Sequence, residues 1–333
     1  MIGPSLGDYP FIVEYTYLAF LVGVLLGYLY FRQRQISVGG TLAVGYLAAS
    51  LYQPVNAVVT VLISLVGYAL IRYVILKAFL PRPRQVFGIG LAVGIACGAA
   101  WLAVAHWVLG MEQTGDAVTL VGVIVPGMLC NSLTKQGVAR TLIPLAVMVP
   151  LAGLAGFLLA LLSTTVAPMD LQYPADGPGV EVLFAVSAVS VLLAVVVQET
   201  TSGSWTLRTG GYVTAGLLLV AAFTDPWYLA VIAVATAITL AVYVPFSRAV
   251  PLFGKDRFII LCLLSLFLVT GQELLLYAFT DIRLGGPAGL VFAILPAIMA
   301  NDLLQYGLRR TGGGMGLALA GCAVVAVPLL GFT

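Results

Sequence analysis

The chain has 333 residues, of which 61% are hydrophobic and only 8% are charged, and its net charge is +2. Soluble domains carry about 25% charged residues, so this composition excludes an ordinary water-facing surface and predicts a chain embedded in lipid. The near-neutral balance, without long basic runs, also excludes nucleic acid as a partner.

Apolar runs separated by Gly, Pro and charged residues predict twelve segments. In chain order they are 15–31, 36–52, 55–80, 86–109, 117–133, 141–162, 182–197, 212–223, 227–246, 258–279, 288–304 and 315–332. A membrane-spanning helix needs about 20 residues, so twelve of them fit this length without a soluble domain. The sequence therefore predicts an all-α polytopic membrane protein in which several helices are short or broken.

Four of these segments are short, and Gly or Pro interrupts or bounds each one: 36–52, 117–133, 212–223 and 288–304. Segments of this kind can be re-entrant hairpins that enter and leave on the same side. A hairpin at 36–52 would place Arg72, Lys77, Arg82 and Arg84 outside, against the positive-inside rule. We therefore favour a crossing at 36–52, and the re-entrant arrangement remains the alternative.

The basic residues predict the orientation. If every segment crosses and the N-terminus is outside, all Lys and Arg residues except Arg283 fall on the cytoplasmic side, as the positive-inside rule requires. The expected location is the plasma or inner membrane, with several passes and with both the N- and the C-terminus extracytoplasmic.

The two halves of the sequence resemble each other. At a constant offset of 170 residues, three residue types recur in pairs: Pro126 and Pro296, Asn131 and Asn301, and Gly137 and Gly307. A second block, Gly39-Gly40 with Pro54, recurs as Gly210-Gly211 with Pro226 at offsets of 171 and 172. Six segments in each half predict two repeats of the same orientation: a first repeat over 1–163, an extracytoplasmic linker over 164–180 and a second, diverged repeat over 181–333.

Two motifs of the first half resemble those of a known family. Residues 39–54 (GGTLAVGYLAASLYQP) and Gly122-Val-Ile-Val-Pro-Gly-Met-Leu-Cys-Asn131, followed by Lys135-Gln-Gly137, are similar in order and spacing to two blocks of the poly-γ-glutamate biosynthesis protein PgsC/CapC family. The resemblance covers about residues 18–151, the length of a single-copy member. The second half departs from the pattern, for example at Pro296-Ala297, so the chain resembles two fused copies of which one has diverged.

The resemblance implies an integral membrane subunit of a complex that makes and exports poly-γ-glutamate. The partners it implies are an ATP-dependent, Mur-ligase-like amide ligase subunit (PgsB/CapB-like), a membrane-anchored export subunit (PgsA/CapA-like) and the polymer. The chain itself is then expected to scaffold the ligase and to help translocate the anionic polymer, without catalytic activity of its own. Two alternatives remain: a secondary transporter for a small anion such as glutamate, and a purely structural anchor.

No catalytic residue, metal site or cofactor is predicted. The chain has no GxxxxGK[ST] loop that could hold a nucleotide phosphate. Its single histidine, His106, has no neighbouring Cys or carboxylate cluster and is expected to lie at the membrane interface.

Two sets of residues are candidate site residues. The first set comprises proline, glycine, amide and carboxylate residues within the segments, which either line a polar path for the polymer or brace helix kinks: Pro126, Gly127, Asn131, Gln136, Pro296, Asn301, Asp302 and Glu273. The second set is basic and is expected to bind the anionic polymer or a partner, or only to orient the chain: Arg82, Arg84, Lys135, Arg140, Arg309 and Arg310.

Two expectations concern these candidates in more detail. Ionisable groups at membrane depth are costly, so Asp302 is expected to pair with Arg309 or Arg310, while Glu273 has no polar counterpart in the first half. Repeats of the same orientation place equivalent segments symmetrically about an axis along the membrane normal. Residues 126–131 and 296–301 are therefore expected to lie near each other and to form a shared polar path.

Overall fold

The computed structural model describes residues 9–40, 42–78, 83–107, 118–166, 180–201, 206–224, 226–280 and 289–331. Within these ranges the chain forms helices and no β-strand. The first six helices are α1 (Tyr9–Arg34), α2 (Ala43–Ala49, extended by the 3-10 turn Ser50–Tyr52), α3 (Pro54–Ala78), α4 (Pro83–Trp107), α5 (Val118–Gln136) and α6 (Val138–Val166). The next six are α7 (Val180–Thr200), α8 (Thr214–Thr224), α9 (Pro226–Ala249), α10 (Gly254–Thr280), α11 (Gly289–Tyr306) and α12 (Leu308–Gly331).

The chain divides into two compact units, Met1–Gln172 and Tyr173–Thr333. Each unit contains six of the twelve helices, in the order in which the apolar segments follow one another along the chain. The prediction of an all-α protein with about twelve segments is thus confirmed for the described residues.

Among the described residues, six helices are long and apolar enough to cross a membrane by length and composition: α1, α3, α6, α9, α10 and α12. This confirms the prediction of a multi-pass membrane protein. By contrast, α2 with its 3-10 turn and α8 have about ten residues each. At 1.5 Å per residue these two helices are about 15 Å long, roughly half the thickness of the hydrocarbon layer.

Paired glycines explain why the two short helices begin late. The apolar segment predicted at 36–52 becomes helical only at Ala43, because the backbone before it turns at Gly39 and Gly40, with φ of +69° and +95°. Gly210 and Gly211 repeat this turn before α8, with φ of +68° and +120°. Side chains rarely adopt such angles without strain, whereas glycine does so readily. The two halves therefore share a backbone turn as well as a sequence pattern.

The segment before and within α2 runs antiparallel to α1. At its start, the backbone N–H of Ser37 donates to Oε1 of Gln136 at the end of α5 (3.2 Å). At its far end, Oη of Tyr15, near the start of α1, donates to the carbonyl of Ala48 (2.8 Å). The chain therefore runs from Ser37, beside the end of α5, to Ala48, beside the start of α1. This direction favours a crossing over a hairpin that returns to the end from which it started.

The second unit has the same arrangement around α8. Nε2 of Gln198, near the end of α7, donates to Oγ1 of Thr209 (3.0 Å). Further back along α7, Oγ of Ser190 donates to the carbonyl of Tyr212 (3.1 Å) and accepts from the N–H of Gly216 (3.0 Å). The chain from Thr209 to Gly216 therefore also runs antiparallel to the long helix that precedes it.

Two glycines of α12 provide a matched test of this packing. A methyl group on Gly314 would collide with the backbone of Arg208, whereas nothing lies within 4 Å of the Cβ position of Gly316. We expect Gly314→Ala to lower the free energy of unfolding by about 1–3 kcal/mol through overpacking. Gly316→Ala should leave it unchanged or raise it, because alanine favours the helix.

Thermal unfolding of the purified variants in detergent, followed by tryptophan fluorescence, measures both effects. Equal stability of the two variants would contradict the close approach of α12 to the backbone before α8.

Candidate functional site

In the first unit, Gly127 lies at a close contact between α4 and α5. A Cβ on Gly127 would lie 2.8 Å from Cα of Leu91, and one on Gly94 would lie 3.0 Å from the backbone N of Gly127. A Cβ on Gly90 would likewise lie 3.2 Å from the carbonyl oxygen of Gly127. Small residues allow helices to approach this closely in membranes, so Gly127 is a packing residue in this structure.

The helices are not broken at the two prolines. Helix α5 continues through Pro126 and α11 continues through Pro296, and both prolines are buried. The sequence leaves a broken helix and a kink open at these prolines, and the structure has a continuous helix in each unit. A proline removes one backbone donor, but neighbouring helices compensate for such losses in membranes. In the second unit, Oγ of Ser265 on α10 donates to the carbonyl of Ala293 (2.6 Å), next to the Phe292 carbonyl that loses its helical donor at Pro296.

The two equivalent asparagines have different surroundings. Oδ1 of Asn131 is buried and has no hydrogen-bond partner among the described residues. Oδ1 of Asn301 accepts a hydrogen bond from Nε of Arg257, in the first turns of α10 (3.1 Å). The same guanidinium donates through Nη2 to Oε1 of Gln305, one turn further along α11 (3.1 Å). Asn301 therefore bridges two helices, whereas Asn131 does not.

Tyr243 of α9 completes a polar group that we call the Arg257 cluster, consisting of Tyr243, Arg257, Asn301 and Gln305. The Tyr243 side chain is 2% exposed, its hydroxyl has no hydrogen-bond partner among the described residues, and α9 packs against both α10 and α11. Sequence reasoning singled out only Asn301 of these four residues. The cluster brings one cation, two amides and one phenol together where α9, α10 and α11 meet.

Arg208 is a second residue whose position the sequence did not indicate. Its side chain is only 5% exposed, and Nη1 donates to Oε1 of Gln198 (2.6 Å). The guanidinium carbon lies 4.3 Å from the ring centroid of Tyr306, a cation–π contact, and the backbone N–H donates to the carbonyl of Arg310 (3.2 Å). The sequence contains one sign of this role: the first half has the uncharged Ser37 at the position equivalent to Arg208.

The basic candidates flank two equivalent turns. Lys135 and Arg140 lie on either side of Gly137 (φ +87°), and Arg309 and Arg310 follow Gly307 (φ +82°). All four basic side chains are exposed. Of the two remaining basic candidates, Arg82 lies outside the described residues, and only the backbone of Arg84, in the first turn of α4, is described.

The other candidates lie apart from these groups. Oε1 of Gln136 accepts from the N–H of Ser37, as described above. The carbonyl of Asp302 accepts from Oγ1 of Thr311 (3.2 Å), and the pairing of its carboxylate with Arg309 or Arg310 stays a prediction. Glu273 is half-buried in α10, about 24 Å along the helix axis from Arg257, so the structure does not bring it to the Arg257 cluster.

Among the described residues, no group of three or more His, Cys, Asp or Glu side chains is arranged to hold a metal ion. The four cysteines are free thiols, and three of them are buried.

Comparisons with known proteins agree with the motif resemblance. The family profile described as Capsule biosynthesis CapC matches twice, over residues 22–142 and 189–312. The PGA biosynthesis protein CapC of Bacillus subtilis (strain 168) is 30% identical over 125 residues, which cover 38% of this chain and 82% of that protein. The Capsule biosynthesis protein CapC of Bacillus anthracis is 29% identical over 126 residues, covering 38% and 83%. No solved structure matches the chain significantly.

The two asparagines provide a matched pair for mutation. Asn301→Leu removes an acceptor from a charged donor, and we expect it to lower the free energy of unfolding by about 1.5–3 kcal/mol. Asn131→Leu removes a buried oxygen that has no partner among the described residues, so the stability should stay the same or rise. Thermal unfolding in detergent distinguishes the two outcomes, and an equal loss in both variants would contradict the different bonding of the asparagines.

Proposed function

Because the chain belongs to the capsule biosynthesis CapC family, with one family region in each half, we propose that it is an integral membrane subunit of a complex that makes and exports poly-γ-glutamate. The observation that carries the proposal is the double family match, together with two relatives whose names refer to PGA or capsule biosynthesis. The six long apolar helices support a membrane location for such a subunit.

We propose that the subunit scaffolds the enzyme and helps the polymer across the membrane. Poly-γ-glutamate is a polyanion, and clustered positive charge raises the local concentration of an anion. The exposed pairs Lys135/Arg140 and Arg309/Arg310, each beside a glycine turn, supply such charge in each unit. In the orientation that the basic residues favour, these turns face the cytoplasm and both termini lie outside.

The proposed protein partners are those that the family resemblance implies, and the sequence is consistent with them. Formation of each amide bond requires an activated carboxylate, and the sequence has no phosphate-binding loop to supply ATP chemistry. We propose an ATP-dependent, Mur-ligase-like amide ligase subunit (PgsB/CapB-like) as the enzyme and a membrane-anchored export subunit (PgsA/CapA-like) as the second partner.

Deletion of the gene, with complementation, tests this proposal. Polymer is measured separately inside and outside the cell, and the ligase is followed by co-purification with the tagged chain. We expect extracellular polymer to disappear and the ligase to co-purify. Normal extracellular polymer in the deletion strain would overturn the proposal. Counterflow of labelled glutamate into liposomes that contain only this chain would favour a secondary transporter instead.

Neutralisation of the basic turns gives a quantitative prediction. The double variants Lys135→Gln/Arg140→Gln and Arg309→Gln/Arg310→Gln each remove two exposed charges. At about 0.5 kcal/mol per charge, each variant should weaken polymer binding about fivefold and lower extracellular polymer accordingly.

Arg248→Gln, at the exposed end of α9, is the matched control and should have no effect on the polymer. Immunoblots of the membrane fraction check that all variants accumulate equally. A loss of the same size in the Arg248 variant would show that net charge, and not the position of the turns, is responsible.

A further inference from the structure

We propose that the Arg257 cluster of the second unit binds a carboxylate group of the glutamyl polymer, and that the first unit has no equivalent site. The identity of the ligand rests on the proposed function. The position and chemistry of the site rest on the contacts of Tyr243, Arg257, Asn301 and Gln305.

The guanidinium of Arg257 carries a positive charge and hydrogen-bonds two side chains of α11. Its two side-chain partners, Asn301 and Gln305, are neutral amides. These amides orient the guanidinium without neutralising it. A guanidinium has five N–H donors, and only two of them are used here, so donors remain for a carboxylate.

Two buried hydroxyls on the neighbouring helix also lack partners. Tyr243 is 2% exposed and Thr239, one turn earlier on α9, is 0% exposed, yet neither hydroxyl makes a hydrogen bond to a described residue. Buried polar groups in proteins are nearly always paired, because an unpaired one keeps its full desolvation cost. An anion held by Arg257 would accept a hydrogen bond from the Tyr243 hydroxyl, which has no partner among the described residues.

The packing of α9 and α11 supports this placement. Their first turns are in contact, since the rings of Tyr228 and Phe292 lie 4.7 Å apart. Helix α9 then reaches Tyr243 after 15 residues, and α11 reaches Gln305 after 13. The two helices therefore run in the same direction, and Tyr243 and Gln305 lie at similar heights, next to the first turns of α10 where Arg257 is located.

The first unit has an apolar cluster at the equivalent place. Four of the five buried positions of α3 recur in α9 at an offset of 172, so that Gly67 corresponds to Thr239 and Ile71 to Tyr243. Ile71 packs with Val93 and Cys130, and the turn of α4 that corresponds to Arg257 carries the apolar pair 86–87. The second unit therefore has the same helix arrangement with a cation and hydroxyls in place of apolar side chains.

The binding test uses the full chain in phosphatidylcholine nanodiscs, with a hexamer of γ-linked glutamate as the probe and calorimetry as the readout. We expect Arg257→Gln to weaken binding at least about tenfold, the effect of losing a charge-assisted hydrogen bond. Tyr243→Phe should weaken it about fivefold, the effect of losing a neutral one. Arg257→Lys, which keeps the charge but not the planar fork, should bind with intermediate affinity. Arg248→Gln should bind like the unaltered chain.

Thermal stability separates binding from folding. Tyr243→Phe removes only a hydroxyl without a partner among the described residues, so its unfolding temperature should stay the same or rise while hexamer binding falls. Arg257→Gln leaves the amides of Asn301 and Gln305 without their donor, so it can lower the stability as well as the affinity. Tyr243→Phe tests the affinity without this loss of stability. Unchanged hexamer affinity in both variants would overturn the proposal.

Two further measurements, of lipid binding and of polymer after gene deletion, identify the ligand and separate this proposal from the proposed function. If Arg257→Gln instead lowers affinity for phosphatidylglycerol, and the hexamer does not bind to the unaltered chain, the site belongs to a lipid headgroup and the glutamyl assignment is wrong. If the hexamer does not bind while gene deletion still abolishes extracellular polymer, the site assignment fails and the proposed function stands. If deletion leaves extracellular polymer unchanged, the proposed function fails whatever the hexamer does.

Discussion

Backbone that is not helical needs hydrogen-bond partners inside the protein wherever lipid surrounds it, and each unit has such backbone next to its short helix. The first unit encloses this segment so fully that all seven residues of α2 are buried. To enclose α2, helix α1 must approach it closely. A Cβ on Gly23 of α1 would lie only 2.6 Å from Cα of Gly45 of α2. In the second unit the hydroxyl of Ser190 takes the place of this glycine contact and bonds the enclosed backbone directly.

The polar groups of both units are arranged around these enclosed segments. In the first unit, the end of α5 is fixed to the segment through Gln136 and the N–H of Ser37. In the second unit, Arg208 lies at the corresponding point. Its guanidinium makes a cation–π contact with the ring of Tyr306, the last residue of α11. The position of any site near the end of α5 or α11 therefore depends on the turn that precedes the short helix. The paired glycines at this turn have positive φ angles in both halves.

Much of the fold could be predicted from the sequence, because hydropathy and repetition are local signals. The apolar runs located all twelve helices, and the constant offset between the asparagine motifs revealed the duplication that the double family match confirms. The late start of α2 was harder to predict, since residues 36–42 are as apolar as a helix. The Gly39-Gly40 pair favours a turn over a helix contact only slightly, and the φ angles of both residues show that the chain turns there before it becomes helical.

The candidate site could be predicted only in part, because hydropathy gives the depth of a residue but not its neighbours. The sequence leaves open whether Gly127 lines a polar path or braces a helix kink, and in the structure it forms a close helix contact. Arg208 and Arg257 were interpreted as orientation signals, although one is buried and the other joins α10 to α11. The sequence did contain a clue to both, since each arginine stands where the first half has an uncharged residue. A comparison of the halves for gained charge would have found them.

The contrast between the apolar cluster around Ile71 and the Arg257 cluster has an evolutionary consequence. In a gene that encodes one copy, every substitution appears in all copies that the cell makes, so no copy can specialise without the others. A fused gene removes this linkage and fixes the two copies in equal amounts. Selection can then preserve a tightly packed core in one half while the other half exchanges core residues for charged and hydroxyl groups.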